Sequence, residues 1–291
     1  MFRRWPSLLL LAAAIVWPSS ALAADLRIDF IAVGQGDAAL VTSPTGKTVL
    51  IDGGPRASAA ALTTFLRGRV KAPIDLVLLT HRHDDHFGGL KQVALTFGIR
   101  LFMDAPIAHP GAAYAALLRT LEERKIPVRT AERGRTIDLG GGATVTLLSP
   151  PDPPIARARS KVNANSVIAR LEYQGLAVLF AADAEPETER WLLSQPLPLK
   201  ARILKVAHHG GRFSSTARFL AAVRPTLAVI SVGERNGYGH PTPEALGRLE
   251  KVGARVMRTD QDGTITIVTD GTRVNVSTER GTHALLSPPL P

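Results

Sequence analysis

One stretch restricts this chain more than any other: a strand-length apolar run that ends in a cluster of metal-ligating residues. Residues 74–79 (IDLVLL) read as a strand buried on both faces, and they pass without a spacer into Thr80-His81-Arg82-His83-Asp84-Asp85-His86. His81 and His83, two apart in a turn, can point into one space. Asp85 and His86 follow where Gly88-Gly89 lets the backbone turn sharply into a helix. Four nitrogen and oxygen donors within six residues suit a pair of borderline metals such as zinc, manganese or iron better than one tetrahedral structural zinc. The bland alternative, a solvated His-rich turn, fits poorly after a buried strand, where side chains are held in place.

Two further candidates stand at the same place in their own segments. Asp183 follows the apolar run 176–181, and His208-His209-Gly210 follows the run 203–206. A carboxylate has two oxygens with which to bridge two ions, and a histidine pair completes the donors that the turn begins. Each also has an ordinary reading. Asp183 fits as the N-cap of a helix over 186–193, and His209 as a histidine that supports a ligand from behind or faces substrate.

Composition narrows the chemistry. The chain of 291 residues has no cysteine, which excludes thiolate zinc ligands, a cysteine nucleophile and a disulfide scaffold. Only 5% of residues are aromatic, which argues against a single-strand groove built on stacking. Residues 1–23 carry a basic head (Arg3, Arg4), an apolar stretch over 7–17 and Ala21-Leu22-Ala23, the pattern of a cleaved signal peptide. The apolar stretch is short of the ~20 residues that span a bilayer. An uncleaved N-terminal anchor is the alternative. Removing Arg3 and Arg4 takes the formal charge from +10 to +8, with 33 basic and 25 acidic residues. The expectation is an exported protein, periplasmic or secreted, with no stable membrane span after cleavage, no protein partner, and a basic balance that favours anionic ligands.

Short apolar strands read over 26–33, 38–41 and 48–51, helices over 57–69, 87–97 and 112–124, and strands over 99–103, 135–139 and 143–148. Residues 149–160, with Pro150, Pro151, Pro153 and Pro154, form a loop. A hairpin over 166–173 and 176–181 turns at Gln174-Gly175. Helices over 186–193, 216–223 and 243–252 then alternate with strands over 202–206, 227–231 and 255–258, and strands over 264–269 and 273–277 close the chain. The pattern predicts an α/β (α+β) chain: two mixed sheets with outer helices in one domain over 24–291.

His81-x-His83-x-Asp85-His86-x-Gly-Gly resembles the signature of the metallo-β-lactamase superfamily. Six more segments are similar to the C-terminal hydrolase domain of ComEC-type DNA-uptake proteins: Val33-Gly-Gln-Gly-Asp-Ala-Ala-Leu-Val41, Leu50-Ile-Asp52-Gly-Gly54, Asn163-x-Asn165-Ser166, Phe180-Ala-Ala-Asp183-Ala, Leu204-Lys-Val-Ala-His208-His209-Gly210 and Asn236-Gly-Tyr-Gly-His240-Pro241. They occur in family order over 26–277. The resemblance implies a metallo-β-lactamase αβ/βα sandwich with the metals at one edge of both sheets. It places His81 and His83 on the first metal, Asp85, His86 and His208 on the second, and Asp183 on both. The superfamily commonly supplies a third first-site histidine where this chain has Asn163, Asn165 and Ser166. An amide is the weaker ligand, so the first site is expected to bind less tightly.

Asp37 and Asp52, each beside glycines, read as carboxylates behind the cluster or as turn residues. His240, in a Gly/Pro-rich loop, reads as a group that binds or protonates substrate, with a plain surface histidine as the alternative. Asp85, Asp183 and His240 are the expected catalytic residues. Two divalent ions, zinc first and manganese second, would bring the pKa of a shared water toward neutrality. The substrate expectation is a phosphodiester, in nucleic acid or an anionic small molecule. Rival readings are a β-lactam, lactone or thioester hydrolase on the same scaffold and a degenerate metal-binding protein.

Overall fold

Strands whose sequences read as unbroken apolar runs are buried on both faces, and that decides the layering. The computed structural model describes residues 25–71, 73–107 and 111–286, so the leader read in residues 1–23 and His109 lie outside the described residues. In chain order, β1 (Leu26–Phe30), β2 (Ala39–Thr42), β3 (Thr48–Ile51), β4 (Leu76–Leu79), β5 (Phe102–Asp104) and β6 (Val128–Thr130) build most of a first sheet. β7 (Thr136–Gly140), β8 (Ala143–Leu147), β9 (Ala169–Tyr173), β10 (Leu176–Phe180), β11 (Ile203–Lys205), β12 (Leu227–Ile230) and β13 (Arg255–Arg258) build the second. β14 (Ile265–Thr269), β15 (Val274–Thr278) and β16 (His283–Leu286) return to the first.

The first sheet has the order β16-β15-β14-β1-β2-β3-β4-β5-β6, with β3 to β6 parallel and the other pairs antiparallel. The second has the order β13-β12-β11-β10-β9-β8-β7, with β10 to β13 parallel. Both sheets are mixed, as expected. Alternate residues of one strand serve different cores. Leu76 and Leu78 of β4 pack between the sheets, while Val77 and Leu79 pack under outer helices with Leu62, Leu66, Leu90 and Val93. Val178 and Phe180 of β10 face the same central layer, and Leu179 packs outward with Leu192, Phe219, Leu220 and Leu249. Each such fully buried side chain contributes roughly 1.5–3 kcal/mol. The result is helices, sheet, sheet, helices.

This architecture brings the carboxyl ends of parallel strands from both sheets to one edge. Val167 N donates to Thr80 O across that edge at 2.9 Å. The helix expected over 87–97 is two pieces, Asp84–Phe87 and Leu90–Phe97. Gly88 and Gly89 separate them, and Gly89 lies so close to the turn after β3 that a Cβ there would sit 2.3 Å from Gly53 O. β6, β16 and the short helices Lys161–Ala164 and Thr259–Asp262 were not legible beforehand. No described helix is long and apolar enough to cross a membrane.

Candidate metal centre

The first donors leave the end of β4. Thr80 donates both its N and its Oγ1 to Asp52, at 2.8 and 2.7 Å. With its proton committed to Asp52, the Thr80 hydroxyl accepts from His81 Nδ1 at 3.1 Å, which leaves His81 Nε2 bare toward the cluster. His81 Nε2 is 3.1 Å from His83 Nδ1 and 3.6 Å from Asp183 Oδ2. His81, His83 and Asp183 thus gather three donor atoms within 4.8 Å of one another.

A second set gathers beside it. His86 Nδ1 donates to Asp52 Oδ2 at 2.8 Å, and His209 Nδ1 donates to the carbonyl of Ser231 at 2.9 Å. Neither the carboxylate nor the carbonyl donates, so a proton is fixed on each Nδ1 and it is Nε2 of both rings that faces the cluster, where a bound cation would stand in place of a second proton. His86 Nε2 lies 3.4 Å and His209 Nε2 3.7 Å from Asp183 Oδ1; Asp85 Oδ2 lies 3.8 and 3.2 Å from the same two nitrogens. His86 Nε2, His209 Nε2 and Asp183 Oδ1 are buried without a hydrogen-bond partner. Donors at this spacing fit one ion held about 2 Å from each. The residues present therefore fit two divalent ions, with the two oxygens of Asp183 facing different donor sets.

The position of the histidine pair corrects one expectation. His209, not His208, stands with Asp85 and His86. Both residues have left-handed backbone (φ 51° and 52°), which swings their rings apart. His209 turns inward onto Ser231, while His208 stays partly exposed with Nε2 3.7 Å from Asp183 Oδ2, the oxygen that His81 faces. Asp52 (φ 58°) and Ala182 (φ 46°), which immediately precedes Asp183, are also left-handed. Such conformations in non-glycine residues cost of order 1–3 kcal/mol each and persist where surroundings over-determine them. Asp183 is not a helix cap: Glu185 caps Pro186–Ser194 through a reciprocal box with Thr188.

The carboxylates concentrate negative charge that positive charge must meet. Burial alone would depress His209, but Asp183 and Asp37 outweigh it and lift the ring to about 10. Burial likewise opposes charge on His86, and Asp183 and Asp52 raise it well above the ordinary histidine value. Asp85 is drawn down to about 2 against its burial by the His209 ring, whose Nε2 lies 3.2 Å away, and by the charge of His86. Asp37 pairs with the buried Lys205 ammonium, and its Oδ1 lies 3.4 Å from His209 Nδ1. It supports the cluster from behind. Lys205, which the sequence left without a role, is part of that support. So is Gln35, whose Oε1 accepts from Gly233 N at 3.1 Å and ties two loops beside the centre.

The amides divide. Asn165 spends its side chain on the proline-rich loop and the short helix that follows it, accepting from Ile155 N at 2.8 Å and donating to Ile155 O and Lys161 O. Ser166 is buried with its Oγ unpartnered. Asn163 lines the cleft, donates Nδ2 to Glu185 Oε1 at 3.5 Å and keeps a buried, unpartnered Oδ1. The cleft has a volume of about 560 Å³, with His83, Asp85, Asp183, His208 and His240 among its walls. His240 Nδ1 is buried and unpartnered; burial and the adjacent His208 and His209 rings push the ring down to about 4, which favours its neutral form. His283 lies in β16, away from the cluster.

Residues 31–156 match the model of the family described as the metallo-beta-lactamase superfamily. The chain is 28% identical over 263 residues to ComE operon protein 3 of Bacillus subtilis, covering 84% of this chain and 33% of that protein. It is 25% identical over 264 residues to competence protein ComA of Neisseria gonorrhoeae, covering 90% of this chain and 35% of that one. The chain thus spans about a third of the length of these relatives. Its structure is similar to the metallo-beta-lactamase fold protein YhfI from Bacillus subtilis, with a TM-score of 0.56 and 14% identity over 84% of this chain and 100% of the other. At that identity the likeness concerns the fold alone.

Proposed function

Because residues 31–156 match the model of the metallo-β-lactamase superfamily and the chain carries two donor sets joined by Asp183, we propose that it is a metal-dependent hydrolase of that superfamily whose chemistry is directed at phosphodiesters. The observation that carries the proposal is the convergence of buried, unpartnered His86 Nε2, His209 Nε2 and Asp183 Oδ1 beside a second triad at the edge of an open cleft. Ions in these sets would supply Lewis acidity and an activated water, and paired sites suit the attacking and departing oxygens of an in-line displacement. Zinc fits the imidazole-rich donors first and manganese second.

The protein's own groups have distinct tasks. Asp85, whose side chain is about a third exposed (32%), accepts a hydrogen bond from the attacking water and orients it. His240, neutral and unpartnered at Nδ1, hydrogen-bonds the departing oxygen. Asp52 and Asp37 hold the ligand rings and need not move. The net charge of +8 after removal of a leader, and similarity to competence proteins, support nucleic acid as the first substrate class.

A panel of bis(p-nitrophenyl) phosphate, single- and double-stranded DNA, nitrocefin, a homoserine lactone and a thioester, each with zinc and with manganese, tests the proposal. Phosphodiester turnover abolished by His83→Ala is expected. Turnover of nitrocefin, the lactone or the thioester with none of the phosphodiesters would overturn it. Export, the second part of the proposal, rests on residues 1–23; N-terminal sequencing of the chain recovered from cells is expected to start at Ala24, and a start at Met1 in a membrane fraction would show an anchor instead.

A further inference from the structure

The metal cleft continues into a second recess of about 370 Å³, and the two share His208, Tyr238 and His240 as walls. Two of its other walls are Arg159 and Phe213. Six large hydrophobic side chains are exposed among the described residues, and the two aromatic ones are Phe213 (53%) and Tyr238 (72%). Both line this recess.

The rings are presented by braced loops. Asn236 donates Nδ2 to Gly233 O and His240 O at 2.9 and 2.8 Å, and its Oδ1 accepts from His240 N at 3.0 Å, so the turn carrying Tyr238 is stapled at both ends. On the other side, the Arg248 guanidinium donates to the carbonyls of Arg212, Ser214 and Ser215 at 2.8–2.9 Å, which fixes the backbone on both sides of Phe213. Tyr238 stacks on His240 (5.8 Å, 28°) and His240 on the metal-donor ring His209 (6.4 Å, 29°), a series of near-parallel rings from solvent to the cluster. The Arg159 guanidinium lies over Phe213 at 4.3 Å, and among the described residues no carboxylate pairs with it.

We propose that this recess is a base-stacking subsite, which takes unpaired bases next to the scissile phosphodiester of a single-stranded nucleic acid. It rests on the phosphodiesterase reading of the metal cleft. Phe213 and Tyr238 stack on base faces, and Arg159 meets a flanking phosphate while remaining over its ring. Stacking needs a base whose face is free, so a duplex cannot use the subsite. Every base has a π-face, so little sequence preference follows. The low aromatic content of the whole chain describes an average; two rings placed beside the reacting group are enough.

The test is fluorescence anisotropy on the metal-loaded protein with two labelled octamers, phosphorothioate oligothymidylate and a phosphorothioate abasic strand of equal charge. Wild type is expected to bind the base-bearing octamer at least about tenfold more tightly, the scale of one stacked base. Phe213→Ala and Tyr238→Ala each reduce that ratio and the double variant brings it near one, with the abasic affinity held within about twofold. Phe213→Tyr and Tyr238→Phe, which keep the rings, retain the ratio. Equal binding of both octamers by wild type, or a ratio that survives the double alanine variant, overturns the subsite. The underlying reading is scored separately on methyl p-nitrophenyl phosphate, which carries no base. Its turnover together with equal octamer binding removes the subsite alone, and absence of turnover on it and on every other phosphodiester removes the reading beneath it.

Discussion

Asp52 Oδ2 lies 2.8 Å from His86 Nδ1, and this buried contact decides which nitrogen of His86 is turned toward a metal. The same carboxylate holds Thr80, and through its hydroxyl the ring of His81. One residue that ligates nothing therefore sets the tautomer of a ring in each donor set. Asp52→Asn is expected to weaken metal binding by about 10–100-fold, read by competition with a chromophoric chelator. Unchanged affinity in a folded variant would remove Asp52 from this role.

The two adjacent histidines are expected to separate cleanly. His209→Ala removes a donor from the Asp85–His86 set, so elemental analysis after dialysis should give at most one ion per chain, held by the weaker His81–His83 set. His208→Ala leaves that set whole and should retain the ion it holds. Asp183→Ala, which removes an oxygen from each set, should lose tight occupancy of both. Full occupancy in His209→Ala would return the ligand assignment to His208.

Away from the centre, burial pushes the Glu189 carboxyl up to about 7, against hydrogen bonds from Thr216 and Ser215. A pKa raised on folding means that the stabilising state is the protonated one. Its contribution is complete below about 4.5 and is lost as pH rises through about 7, with a full range of about 3 kcal/mol. Glu189→Gln cannot titrate. The stability difference between wild type and Glu189→Gln, from denaturation at pH 5 and pH 8, should shift against wild type by an amount of that order. A difference independent of pH would contradict the shift.

Gly89→Ala places a methyl group 2.3 Å from Gly53 O, a backbone atom with no rotamer to yield. The break between the two short helices after β4 would open, taking Asp85 and His86 with it. A loss of more than about 2 kcal/mol in denaturant stability is expected, together with weaker metal binding. Retention of both would show that the two glycines are not in close contact.

Much of this centre was legible because its residues follow runs that only a doubly buried strand explains. The turn after β4, the position of Asp183 after β10 and the hairpin at Gln174-Gly175, which pairs Tyr173 with Leu176, all follow from local pattern. What was not legible depends on direction or on distant partners. His208 and His209 are chemically identical neighbours, and their division comes from two left-handed backbone positions and a carbonyl more than twenty residues away. Asn165 differs from Asn163 only through its three hydrogen bonds, two to Ile155 of the proline-rich loop and one to Lys161 O, which local pattern does not reveal. β6 has all three residues exposed and lies at a sheet edge, so it shows no alternation to read. The two outlying rings, Phe213 and Tyr238, sit in loops whose placement beside the cleft only the fold provides.

The position of the cluster at the shared edge of the sheets has a mechanical meaning. His81, His83, Asp85 and His86 leave the first sheet, and Asp183 and His209 leave the second, so neither half of the sandwich holds a complete donor set. A bound ion is then a fastener across the seam. Each tenfold rise in free ion above its dissociation constant adds about 1.4 kcal/mol to keeping the halves shut. A chelator would strip the cleft of its chemistry and slacken the seam in one step, so loss of activity and loss of thermal resistance should run in parallel as metal is withdrawn.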